Sequence, residues 1–163
     1  MVLIPTSRQE KGIDLAVIRK QPNACSRVAT FQIKASRTYS PEPPKKDTTK
    51  GFRFYTWFNT FKVPEEADFF LLVGMYAPDP AKTTKVNSGW YKDCTLLFTF
   101  QEMSVFLSSC FTVGGTPDGK FGFGFNDERK VVQTRGDKDR QEKDFTSFLL
   151  QTRVALLKDR LGA

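Results

Sequence analysis

A strict alternation of phenylalanine constrains this chain more than any other feature. Lys120-Phe-Gly-Phe-Gly-Phe125 puts three phenylalanines on one face of an extended strand and two glycines on the other. A glycine row of this kind lets a ligand or another backbone approach closely. The same period of two recurs earlier. In Arg27–Arg37, Ala29, Phe31, Ile33 and Ala35 share one face, and Thr30, Gln32, Lys34 and Ser36 share the other. In Gly51–Lys62, one face carries Phe52, Phe54, Thr56, Phe58 and Thr60. The other carries Arg53, Tyr55, Trp57, Asn59 and Phe61. With 16 phenylalanines in 163 residues, the chain holds enough apolar material for a core.

Further strands follow the same logic. Asp68–Tyr76 is apolar on both faces and reads as a central strand. Trp90–Thr99 is a fourth strand, and Lys130–Arg135 a short later one. Tyr39–Thr49, with Pro41, Pro43 and Pro44, reads as a proline-stiffened loop. Thr99-Phe-Gln-Glu102 has capping-box spacing, so a helix opens there. Phe100, Met103, Phe106, Leu107 and Cys110 form its apolar stripe. A second, long helix is predicted over about residues 139–161. Phe145, Phe148, Leu149, Thr152 and Leu156 form its stripe, and Gly162 its C-terminal cap. The class is α+β with a largely antiparallel sheet: two units of strands, each followed by a helix, the second shorter. Residues 1–26 read as an N-terminal arm. Residues 27–163 form one domain, with units at about 27–111 and 117–162.

The charge excludes as much as it suggests. There is no histidine, which removes the commonest general base and most zinc and haem sites. The acidic side chains Asp79, Asp93, Asp118, Asp127 and Glu128 lie in turns or at element ends. No spacing brings two of them together, so the chain reads as a non-enzyme without metal or cofactor. Cys25, Cys94 and Cys110 show no metal-binding spacing and read as reduced, mostly buried thiols of an intracellular protein. No apolar run is long enough to span a membrane, so no membrane partner is expected. The net charge of +7 is uneven: +8 in residues 1–64, −3 in 65–126 and +2 in 127–163. A basic half on a near-neutral remainder suggests an anionic partner.

Single-stranded nucleic acid is commonly held by a positive surface with rings that stack on bases. Arg53, Tyr55 and Trp57 supply a cation and two rings on one strand face. Lys34, Arg37, Lys45, Lys46 and Lys50 lie close by in sequence, and Lys92 lies in the fourth strand. These nine residues are the candidate nucleic-acid-binding set, in a protein that binds single-stranded RNA or DNA mainly through phosphates. The competing reading of these rings packs Tyr55, Trp57 and Phe61 beneath a helix. The alternative function is a structural or protein-interaction β-domain without nucleic acid, in which the 16 phenylalanines serve as interface residues.

Residues 50–162 resemble the Whirly fold, in the superfamily of the kinetoplastid mitochondrial guide-RNA-binding proteins and the PUR-type proteins. Lys50-Gly51 resembles the opening of the Whirly strand motif. Asp68–Pro78 is similar to its next strand. Gly89–Leu107 is similar to its tryptophan-basic loop, strand and Ser/Thr-x-x-Glu helix start. Pro117–Phe123 is similar to the first strand of its second unit. Phe52-Arg53-Phe54-Tyr55 departs from the plant pattern and points to the mitochondrial branch. The resemblance implies a homo- or hetero-tetramer, a mitochondrial location, and promotion of RNA annealing or processing by phosphate neutralisation.

Overall fold

The structure is a computed structural model. It describes residues 1–4, 12–22, 25–39, 52, 54–76, 92–125 and 130–162, with backbone only for Tyr39, Tyr76 and Lys92. The elements, in chain order, are β1 (Val2–Leu3), β2 (Leu15–Arg19), β3 (Arg27–Tyr39), β4 (Phe54–Asn59), β5 (Phe69–Tyr76), β6 (Lys92–Thr99), α1 (Phe100–Ser108), β7 (Lys120–Phe125), β8 (Val131–Arg135) and α2 (Val154–Leu161). The class is α+β and the sheet is mostly antiparallel, as the sequence patterning indicates.

β3 organises the sheet. Its first half pairs antiparallel with β2, from Arg19↔Arg27 to Leu15↔Phe31. Its middle pairs with β5 from Phe31↔Phe69 to Arg37↔Met75, and that pairing is parallel. Its end crosses to β4 through Thr38↔Thr56 and Tyr39↔Tyr55. One sheet therefore contains β1, β2, β3, β5 and β6. The other runs from the end of β3 through β4 and β7 to β8. β5 lies between β3 and β6, the central place its two apolar faces predict.

The inner faces of the two sheets enclose the main core. Phe70, Leu72, Leu96 and Phe98 face Phe54, Phe58, Phe121, Phe123 and Phe125. Phe106 of α1 lies among these rings, 5.2 Å from Phe121 and 5.8 Å from Phe123. On the far side of the first sheet, α2 packs Leu156, Leu157 and Leu161 over Ala29, Phe31, Phe69 and Leu97. No helix among the described residues is long and apolar enough to cross a membrane.

The capping box is present. The Thr99 N–H donates to Glu102 Oε2 at 2.8 Å, and the Glu102 N–H donates to Thr99 Oγ1 at 3.3 Å. Arg153 completes it with hydrogen bonds of 2.6 and 2.8 Å to the two Glu102 oxygens and a third to the Leu97 carbonyl. Its guanidinium also lies 4.7 Å from the Phe148 ring centre. One arginine thus ties the start of α1 to the entry of α2 and to β6.

The chain differs from the sequence reading in two places. The long helix over 139–161 is not formed. Arg140 and Glu142 have φ of 49° and 52°, outside the right-handed region. The Gln133 N–H donates to the Lys143 carbonyl, and the Phe145 N–H to the Val131 carbonyl, so residues 143–145 run along β8. Leu149 is extended and bridges to Leu96. Only two single 3₁₀ turns and α2 remain helical, and Gly162 caps α2 at φ 67°. This path puts both Phe145 and Leu149 into the core without a continuous helix. The segment 1–26, read as an arm, carries β1 and β2, both hydrogen-bonded into the sheet. Of the cysteines, Cys110 is buried, Cys94 partly buried and Cys25 exposed.

A void of about 10 Å³ remains between the sheets, lined by Thr56, Gly74, Phe125 and their neighbours. A Cβ on Gly74 would stand 3.5 Å from Thr56 Cγ2 and 3.6 Å from Phe125, ordinary packing distances. Gly74→Ala is therefore expected to stabilise the fold by about 0.5–1 kcal/mol, read as a higher urea midpoint with unchanged slope. Arg153→Ala is expected to cost about 1.5–3 kcal/mol, read as a lower urea midpoint, because it removes the charge-assisted hydrogen bonds to Glu102 and the bond to the Leu97 carbonyl.

Acid has a definite sign as well. Burial works to raise the Glu102 and Asp137 carboxyls, but hydrogen bonds outweigh it and hold both low. For Glu102 the donors are Arg153 and Thr99. For Asp137 they are the N–H groups of Gln141 and Asp139, with Lys143 beside them. The unfolded chain then binds more protons, so this stabilisation is present above a pH of about 4 and is lost as pH falls through the depressed folded values. The urea midpoint should drop between pH 6 and pH 3. A midpoint that stays level across that window contradicts the assignment.

Candidate nucleic-acid interface

The outer face of the second sheet is set by the β4–β7 register. Phe54↔Phe125, Thr56↔Phe123 and Phe58↔Phe121 point inward. The alternate pairs Tyr55↔Gly124, Trp57↔Gly122 and Asn59↔Lys120 therefore point outward. The glycine row does permit a close approach, but the chain's own rings make it. A Cβ on Gly122 would stand 2.5 Å from Trp57 Cδ1, so the indole lies across that glycine. A Cβ on Gly124 would stand 2.8 Å from the Phe52 ring, and Phe52 meets Tyr55 edge to face at 6.4 Å.

The three rings differ in exposure. Phe52 is buried and Tyr55 half-buried, whereas Trp57 is 44% exposed. No helix among the described residues covers Trp57. Burial, and then the nearby Glu142 carboxylate, raise the Tyr55 hydroxyl above its ordinary value, so it remains a neutral hydrogen-bonding group. The Ser36 hydroxyl donates to the Trp57 carbonyl at 2.7 Å and fixes the strand beneath the indole.

Cations border the rings. Lys120 is exposed and paired with exposed Asn59. Arg135 pairs with Gly122 across β8 and is exposed, with Nε and Nη2 donating to Asp118 at 3.2 and 3.1 Å. The hydrogen bond from Arg135 holds the Asp118 carboxyl below its ordinary value. Arg37 is exposed on β3. It directly precedes Thr38, whose partner Thr56 points inward, so Arg37 stands on the same outward side as Trp57.

Of the nine candidate residues, the fold thus brings Arg37, Tyr55 and Trp57 to one outer surface. Lys34 is on the opposite face of β3, with Nζ 5.2 Å from the Phe61 ring centre. Its neighbours in sequence and in space differ because β3 turns its even residues toward the β4–β5 connection, where Thr30 bonds Glu66 and Asp68. Lys45, Lys46, Lys50 and Arg53 lie outside the described residues. The Lys92 backbone pairs with Tyr76 at the start of β6, one residue beyond the Arg37↔Met75↔Asp93 row. Phe52, Gly122 and Lys120 belong to the same outer face and lie outside the nine candidate residues. Their signal is the phenylalanine-glycine alternation itself, read against an aromatic partner strand.

Another part of the basic charge has a structural partner. Arg19 donates to the Gly162 carbonyl, and the Arg27 guanidinium packs against Gly162, so both close the C-terminus of α2. Burial, with the Asp118 charge adding to it, pushes the Cys110 thiol up to about 11, so it is not a nucleophile at neutral pH. Among the described residues no cluster of cysteine, aspartate and glutamate is arranged to hold a metal ion.

Gly122→Ala tests the close approach. Its Cβ would meet the Thr56 carbonyl at 2.8 Å as well as the indole, so the strands must shift. A loss of about 1–3 kcal/mol is expected, with a changed Trp57 emission spectrum. Unchanged stability and emission would contradict the seated indole. No family model, curated protein or solved structure matches the chain.

Proposed function

We propose that this chain is a non-catalytic single-stranded nucleic-acid-binding protein, with RNA as the favoured partner, that grips the phosphate backbone across the outer face of β4 and β7. The observation that supports this most is the exposed indole of Trp57 beside Tyr55, flanked by Arg37 and Lys120. Fixed rings bordered by cations suit a strand whose bases are unpaired and whose phosphates are accessible. The excess of +8 in residues 1–64 supports an anionic partner. The resemblance of residues 50–162 to Whirly-fold sequences points the same way, toward an oligomer that promotes RNA annealing or processing.

One observation favours the second reading, a structural or protein-interaction β-domain. β1 lies at a sheet edge with Met1, Val2, Leu3 and Ile4 exposed by 46–73%. Salt separates the two readings. Affinity for a single-stranded oligonucleotide should fall linearly on logarithmic axes as salt rises. The double variant Arg37→Glu, Lys120→Glu should bind at least tenfold more weakly at low salt and show a shallower slope. Equal affinity in that variant removes this face from the site. Tight self-association without oligonucleotide affinity supports the second reading.

A further inference from the structure

We propose that Trp57 is a stacking seat for one unpaired nucleobase, and that Gly122 is the positioning residue that makes it one. The inference rests on the nucleic-acid reading of this face and adds to phosphate tracking a contact with the base itself. An exposed tryptophan on a strand is ordinarily free to swing. Here the space above Gly122 is filled by the indole edge, with Cδ1 and Nε1 2.5 and 3.1 Å from where a Cβ would stand. Below it, the backbone is fixed by the β4–β7 ladder and by the Ser36 hydroxyl on the Trp57 carbonyl. The ring is therefore laid down on the sheet while 44% of the residue stays accessible. A ring held in place loses little conformational entropy when a flat partner settles on it.

The charge around the seat selects the partner. Lys120 follows on the next outward pair, and Arg135 stands across the glycine with Asp118 held in its fork. Asp118 neutralises Arg135 and Glu142 lies near Tyr55, so the excess positive charge beside the indole is carried by Arg37 and Lys120. A flat, polarisable group attached to an anionic chain fits it. A duplex keeps its bases stacked on each other and offers no free face. The seat therefore discriminates unpaired from paired strands, which backbone contacts alone do poorly. It also sets a limit on annealing, since a base resting on Trp57 must leave it before pairing.

The experiment compares three probes of equal length: single-stranded oligoadenylate, an abasic strand with the same phosphates, and an adenylate–uridylate duplex. Trp90→Phe leaves Trp57 as the sole tryptophan of the chain's two, so its emission reports the seat directly. Oligoadenylate should quench Trp57 and bind about tenfold more tightly than the abasic strand or the duplex. Trp57→Ala should weaken oligoadenylate by about 5- to 100-fold, leave the abasic strand unchanged, and be partly rescued by Trp57→Phe. Equal, salt-dependent binding of oligoadenylate and abasic strand, with Trp57 emission unmoved, overturns the seat and leaves the phosphate reading standing. That comparison needs only the unmodified chain for its affinities, so a poorly folding variant does not block it. Absence of binding to all three probes overturns both, as does quenching by an apolar peptide alone.

Discussion

Side-chain alternation along β7 couples the core of this protein to its surface. When Phe121, Phe123 and Phe125 point inward, Gly122 and Gly124 must point outward. The inward rings meet Phe58 at 5.4 Å and Phe54 at 5.5 Å on β4. Each fully buried phenylalanine contributes about 1.5–3 kcal/mol, so this layer is a large part of what holds the sheets together. The outward glycines leave a trough along the strand, and the aromatic side chains near or on β4 fill it. A phenylalanine core and a laid-down indole are thus two faces of one six-residue strand. A side chain at position 122 could not be added without moving the opposite strand.

The rest of the fold holds that strand pair in place. β3 joins the two sheets within a single element and hands β4 its register at Thr38 and Tyr39. Arg153 binds Glu102, the Leu97 carbonyl and the face of Phe148, and so joins both helices to β6. Arg160 and Thr30 share Asp68 at the start of β5. These polar ties lie at element ends, where helix termini and strand ends would otherwise present unpaired groups. Among the described cations of the first half, Arg19 and Arg27 close α2, whereas Arg37 is exposed on β3.

The features legible in the sequence were local. The faces of β3 and β4, the centrality of β5, the Thr99–Glu102 cap and the Gly162 cap all follow from spacing over a few residues. The parallel pairing of β3 with β5 is not local. It joins segments separated by β4, and nothing in either strand encodes direction. The helix expected over 139–161 failed for a related reason. Phe145, Phe148 and Leu149 fit a helical stripe, but a non-helical path over 141–145 also lets Phe145 reach the core and supplies β8 with partners at Lys143 and Phe145. At the candidate site, Tyr55, Trp57 and Arg37 share a surface because of strand register, while Lys34, three residues from Arg37, falls on the opposite face of β3. Sequence proximity suggested one patch where alternation separates two.

Ultraviolet cross-linking of a bound single-stranded oligonucleotide, followed by peptide mapping, tests most directly whether single strands lie on the outer face of β4 and β7. Adducts should concentrate at Tyr55 and Trp57 and in the β7 segment around Lys120. Adducts confined to the Arg19–Arg27 corner, or to α1, with the β4 and β7 peptides unmodified, would contradict it.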